Sequence, residues 1–210
     1  LYKAPPIMNI DCLMDVIMHK KKLDAKAVYE SPTKLVISAT DIESGIPHYF
    51  TNHNSVSLFS SLKASCALPI FYDKPVKING NHYLDGGLIN MLPVAKAIED
   101  GCTDILILLT KPRVRVHHPL VPTWFEMMRL KRYGRNFVSS YYARDIYYND
   151  AMRTIVGDRP TERTINIAAI APVTQKLFVH TIDTHKLKSA YYQSYQHALS
   201  VFGSKNLRSL

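Results

Sequence analysis

Residues 76–87 constrain this chain more than any other stretch. Val76 to Ile78 and Asn81 to Leu84 are short β-prone runs separated only by Asn79-Gly80, a pair that readily takes the positive φ angles of a type I′ turn. The segment therefore predicts a tight β-hairpin. Asp85-Gly86-Gly87 follows the second strand directly, so a carboxylate is held at a rigid strand exit while the backbone turns away from it. Such a carboxylate can face a cleft, or it can simply cap its own turn, since Asp-Gly pairs are ordinary turn formers.

Around the hairpin the periodicities alternate between helix and strand. Ile10, Leu13, Met14, Ile17 and Met18 recur at helical spacing behind Asn9, which is placed to cap, and the basic run Lys20 to Lys22 lies near the C-terminal end. Leu35 to Ala39 and Ile46 to Phe50 read as neighbouring strands joined by turn residues Asp41 to Gly45. Leu58, Leu62 and Ala64 to Ala67 fit a short helix ending near Pro69. Pro93 suits the first turn of a helix through Val94, Ala95 and Ile98, with Gly101 at the left-handed C-cap position. Thr103 to Thr110 has the continuous apolar centre expected of a strand buried on both faces. Beyond a Pro-containing loop, helices are expected from Thr123 to an interruption near Gly134, from Val138 to Ile155 and from Thr184 to Phe202, with an apolar run at Ile165 to Ile170. The fold class implied is a layered α/β domain, and 210 residues suffice for one domain spanning 1–210.

Several chemistries are absent. The eight glycines fall at 45, 80, 86, 87, 101, 134, 157 and 203, so no G-x-S-x-G elbow, P-loop or dinucleotide fingerprint exists in this sequence. His117-His118 and His180 with His185 lack the spacing of a metal site, so no metal and no cofactor is expected. Cys12, Cys66 and Cys102 lie far apart and are odd in number, which favours a reducing compartment over a disulfide framework. The longest clean apolar stretch, Ile105 to Leu109, falls far short of the roughly 18 residues that cross a bilayer, favouring a cytoplasmic or peripheral membrane protein. The chain opens on Leu1 rather than Met and reads as an interior start, so an upstream segment is expected.

The order of motifs carries a more specific signal. Ala64-Ser65-Cys66-Ala67-Leu68-Pro69, the hairpin, Leu84-Asp85-Gly86-Gly87, Asn90, Pro93-Val94, Ala97 and Gly101, preceded by Val36 to Asp41 and Gly45, resembles the patatin-like phospholipase family. The resemblance covers roughly residues 30–110, and residues 111–210 resemble the looser C-terminal region of bacterial members. It implies a mostly parallel central sheet with helices on both faces plus a β-hairpin, incomplete at the N-terminus. It also implies that Asp85 is the acid/base member of a Ser-Asp dyad in a lipid acyl ester hydrolase acting on phospholipid or lysophospholipid. In that family the serine lies upstream in G-x-S-x-G, behind a glycine-rich loop that stabilises the oxyanion; this sequence contains neither. Gly86, Gly87 and Asn90 are then residues supporting the site, and Ser65 is part of a packed segment rather than a nucleophile. The alternative is a non-catalytic lipid- or protein-binding module on the same scaffold.

Twenty-six Lys and Arg against seventeen Asp and Glu give a formal net charge of +9, which suits phosphate-bearing partners. Between Lys111 and Arg135 seven basic residues and one acid are interleaved with Trp124, Phe125, Met127 and Met128, a composition that can settle at an anionic bilayer surface. A solvated helix with its aromatic side in the core has the same composition. Tyr141, Tyr142, Tyr147 and Tyr148 could stack on nucleic acid, but no nucleic-acid fold motif accompanies them and helical packing is the simpler reading.

Overall fold

A computed structural model describes residues 9–54, 56–69, 71–72, 74–110, 124–157, 164–172 and 182–203. In chain order its elements are α1 (Ile10–Asp15), α2 (Ala25–Glu30), β1 (Val36–Asp41), β2 (Pro47–Thr51), α3 (Leu58–Ser65), β3 (Val76–Ile78), β4 (Asn81–Asp85), α4 (Val94–Glu99), β5 (Asp104–Leu108), α5 (Trp124–Leu130), α6 (Arg135–Val156), β6 (Asn166–Ile170) and α7 (Thr184–Gly203). They fall into two compact units, one within Leu1–Pro93 and His118–Asn149, the other within Val94–His117 and Asp150–Leu210.

The first unit is built on a four-stranded sheet in the order β2-β1-β4-β3, antiparallel throughout. Its two tight connections follow from local backbone chemistry. Asn79 and Gly80 have φ of 49° and 91°, both positive as a type I′ hairpin requires. Between β1 and β2, the Asp41 carboxylate accepts from the Ser44 N–H and hydroxyl at 2.8 and 2.9 Å. Gly45 closes that turn with φ 71°, and a Cβ there would stand 2.7 Å from the Asn136 backbone.

α3 lies against β1, β3 and β4. The core they share includes Ile37, Ala39, Phe50, Leu58, Ala64, Leu84, Ile89 and Phe137. Asn9 caps α1 by accepting from the Cys12 N–H at 3.0 Å. Downstream the helix loosens into a π-type turn over Val16–Lys20. Of the expected apolar stripe, Ile10 and Met14 are buried and Ile17 is partly so, whereas Leu13 and Met18 are exposed. Only the narrower stripe meets the core. α2 was not anticipated; its signal was Asp24, whose side chain accepts from the Ala27 N–H at 3.0 Å. Asn52, nearly fully buried, ties that region together by accepting from the Leu35 N–H and donating to the carbonyls of Val28 and Thr33.

In the second unit α4 ends as expected at Gly101, φ 89°, where the Gly101 and Cys102 N–H groups donate back to Ile98 and Ala97. β5 and β6 pair in parallel, with Ile105 opposite Ile167 and Leu108 opposite Ile170. Two expectations need correction here. β5 is not buried on both faces: Leu106 and Leu108 are 52% and 69% exposed, because a two-stranded sheet whose residues alternate between half-buried and exposed is covered on one face at most. Nor do the described residues display a mostly parallel central sheet; parallel pairing is confined to β5 and β6, and in the larger sheet tight turns make β1–β2 and β3–β4 antiparallel, with β4 also running antiparallel to β1. Gly134, φ 91°, separates α5 from α6, as its position in the sequence predicts. The proline-containing loop, His117-His118 and His180 lie outside the described residues.

Candidate active site

Asp85 is the last residue of β4, a central strand of the sheet, with Ala39 of β1 opposite it. Its main chain is held from two directions. The Asp85 N–H donates to the Ala67 carbonyl at 3.0 Å, and the Thr40 hydroxyl donates to the Asp85 carbonyl at 2.8 Å. Ala67 belongs to the segment that closes α3, so the Ala-Ser-Cys-Ala stretch and the strand exit are brought together by hydrogen bonding.

The side chain is differently placed. Oδ1 accepts from the Gly87 N–H at 2.7 Å, capping the single 3₁₀ turn Gly86–Leu88, while Oδ2 takes no hydrogen bond among the described residues. Burial pushes the carboxyl up to about 6, against the opposing pull of the Gly87 N–H. Cys66 stands close enough to feel that charge: burial first, and the Asp85 carboxylate second, raise its thiol above the ordinary range. A thiol so shifted stays protonated and is a poor nucleophile.

Neither Gly86 nor Gly87 has positive φ, so neither is required for a left-handed backbone. What Gly86 supplies is space: a Cβ there would lie 2.6 Å from both the Ser38 carbonyl oxygen and Oγ on β1. At Gly87 the nearest atom to an added Cβ is Asp85 Oδ1 at 3.1 Å. Asn90 donates through Nδ2 to the Tyr49 hydroxyl at 3.1 Å, pinning the loop after the glycines to β2. Ser65 is the last residue of α3, and no hydrogen bond joins it to Asp85 among the described residues. Sequence reasoning missed Thr40, Ser38 and Tyr49, whose neighbourhood to Asp85 depends on strand pairing.

Away from Asp85, a concavity of about 930 Å³ lies within the second unit among the ends of β5 and β6 and α7, lined by Leu108, Ile170, Pro172, Ala190 and Tyr192. Among the described residues its lining contains His197 but no carboxylate.

A carboxylate desolvated by burial at a strand exit, with one oxygen unbonded among the described residues, has the components of a proton acceptor for a hydroxyl nucleophile. Residues 9–98 match the family model described as patatin-like phospholipase, and that stretch contains Asp85, Gly86, Gly87 and Asn90. A protein of Escherichia coli (strain K12), described as the uncharacterized protein YjjU, is 27% identical over 127 residues, which are 58% of this chain and 34% of that protein. The matched region thus spans about a third of the relative's length.

Proposed function

We propose that this chain supplies the base of a lipid acyl ester hydrolase, with Asp85 as the acid/base member of a Ser-Asp dyad and the serine in a G-x-S-x-G elbow outside this sequence. The supporting observation is Asp85 itself: backbone tethered on two sides, carboxyl desolvated, Oδ2 without a hydrogen bond among the described residues. A serine hydroxyl is a weak nucleophile until a neighbouring base takes its proton, and a carboxyl raised to about 6 is ionised at neutral pH yet more basic than an ordinary aspartate. The serine attacks the ester carbonyl as Asp85 accepts its proton; the alcohol leaves with a proton returned from Asp85; water, deprotonated by Asp85, then attacks the acyl-serine, and the acyl–oxygen bond breaks as Asp85 returns that proton to the serine oxygen. Phospholipid or lysophospholipid is the substrate class, and Gly86, Gly87 and Asn90 support the site. A mostly parallel sheet, in this reading, is completed by the same outside residues.

Contact with an anionic lipid surface belongs to this reading too. It is supported by Trp124 and Met128, exposed at 76% and 56%, beside exposed Lys131 and Arg132.

In the complete protein, Asp85→Asn is expected to lower ester turnover by about 10²-fold or more with the fold retained. The wild-type kcat/KM is expected to rise with pH through about 6, the value at which the base ionises. Turnover close to wild type in Asp85→Asn would remove Asp85 from the chemistry. A sequence upstream without a serine elbow would instead favour a lipid- or protein-binding module.

A further inference from the structure

Thr40 is fully buried on β1, and its hydroxyl has one hydrogen-bond partner among the described residues, the Asp85 carbonyl oxygen at 2.8 Å. A β-branched side chain is stiff about χ1, so this donor is fixed in direction by the strand that carries it. The carbonyl it engages belongs to the peptide joining Asp85 to Gly86. The Gly87 N–H, which donates to Asp85 Oδ1 at 2.7 Å, belongs to the very next peptide, so the Asp85 carbonyl held by Thr40 is where the turn closed by that bond begins. Gly86 lies in the same peptide and packs so closely on Ser38 that a methyl group would not fit, so the turn approaches β1 without a spacer. Ser38 Oγ, also at this contact, is buried and makes no hydrogen bond among the described residues. Of the two β1 hydroxyls beside the turn, Thr40's is the one bonded to it.

We propose that Thr40 is a positioning residue for the Asp85 carboxylate: its hydroxyl fixes the Asp85–Gly86 peptide, which commits Oδ1 to the Gly87 N–H and leaves Oδ2 directed to accept a proton. The inference rests on Asp85 acting as the base. It predicts an effect on turnover rather than on substrate binding, because Thr40 is wholly enclosed and does not meet a ligand.

The test compares Thr40→Val, Thr40→Ser and Asp85→Asn in the complete protein, using a lysophospholipid and a chromogenic short-chain ester as substrates. Thr40→Val, nearly isosteric but without the donor, is expected to lose at least about tenfold in kcat with KM little changed, and to shift the pH midpoint of kcat. Thr40→Ser, which keeps the hydroxyl, is expected to retain the kcat and pH midpoint of wild type while melting at a lower temperature. Equal loss of kcat in the Val and Ser variants would overturn the proposal, since the methyl rather than the hydroxyl would then matter. Should Thr40→Val fail to fold, Thr40→Ala replaces it, and kcat within twofold of wild type in whichever folds would likewise overturn it. Failure of the underlying reading looks different: Asp85→Asn itself would stay active. An inactive Asp85→Asn alongside a fully active Thr40→Val would sink the positioning role alone.

Discussion

The burial that pushes the Asp85 carboxyl up to about 6 also destabilises the fold on one side of that pH. In an unfolded chain the group titrates near 3.8, so between the two values the folded protein holds a proton that the unfolded chain has released. Stability is therefore fully present below about 4 and declines as pH rises through about 6. The loss is at most about 3 kcal/mol, with partial solvent access reducing it. Asp85→Asn cannot ionise and is expected to unfold at higher urea concentration than wild type at pH 8, with the gap closing at pH 4. Identical midpoints at pH 8 would mean that water reaches the carboxylate freely. Gly86 presents a steric rather than a conformational demand. Gly86→Ala forces a methyl to within 2.6 Å of the Ser38 carbonyl, a backbone atom that cannot rotate aside, and is expected to cost about 1–3 kcal/mol in denaturant unfolding. Gly87→Ala meets only the Asp85 carboxylate at 3.1 Å and should cost less; the reverse order would contradict this packing.

At the scale of elements, the β3–β4 hairpin sets where Asp85 emerges, because its turn fixes the register that places Tyr83 opposite Val76. Gly80 sits at φ 91° with nothing within 4 Å of an added Cβ, so only backbone strain opposes a side chain there. Gly80→Ala is expected to cost about 1 kcal/mol, and Gly80→Asn distinctly less, because Asn tolerates the left-handed region. Equal losses in urea titrations of the two variants would mean that the strain argument is wrong. α1 and β5 mark where periodicity overreached. Five apolar residues at helical spacing promised a wide buried face on α1, yet the core accepts only the Ile10, Met14 and Ile17 stripe. An unbroken apolar run promised a doubly covered β5, yet Leu106 and Leu108 face outward. Apolar composition records the tendency to be buried; which faces are covered depends on what stands beside them.

At the scale of the whole molecule, the proposed lipid contact draws on a net charge of +9 and on the exposure of Trp124 and Met128 on α5, and it predicts attraction to anionic bilayers over neutral ones. Cosedimentation with phosphatidylserine-containing vesicles is expected to fall markedly on reversing charge at Arg129, Lys131 and Arg132, and to weaken with salt. Unchanged retention would exclude that surface from lipid contact. The parts of this protein legible in its sequence are those decided within a few residues: the Asn9 cap, the left-handed Asn79-Gly80 turn, the glycine ends of α4 and α5, and the order of the Asp85 motif. Tertiary structure alone decided the rest. The Thr40 hydroxyl reaches a carbonyl 45 positions away, Gly86 is flush against Ser38, and the enclosure of Asp85 raises its basicity. Backbone preference is a local property of each residue's sterics, whereas desolvation and hydrogen bonding between strands exist only once distant segments have been brought side by side.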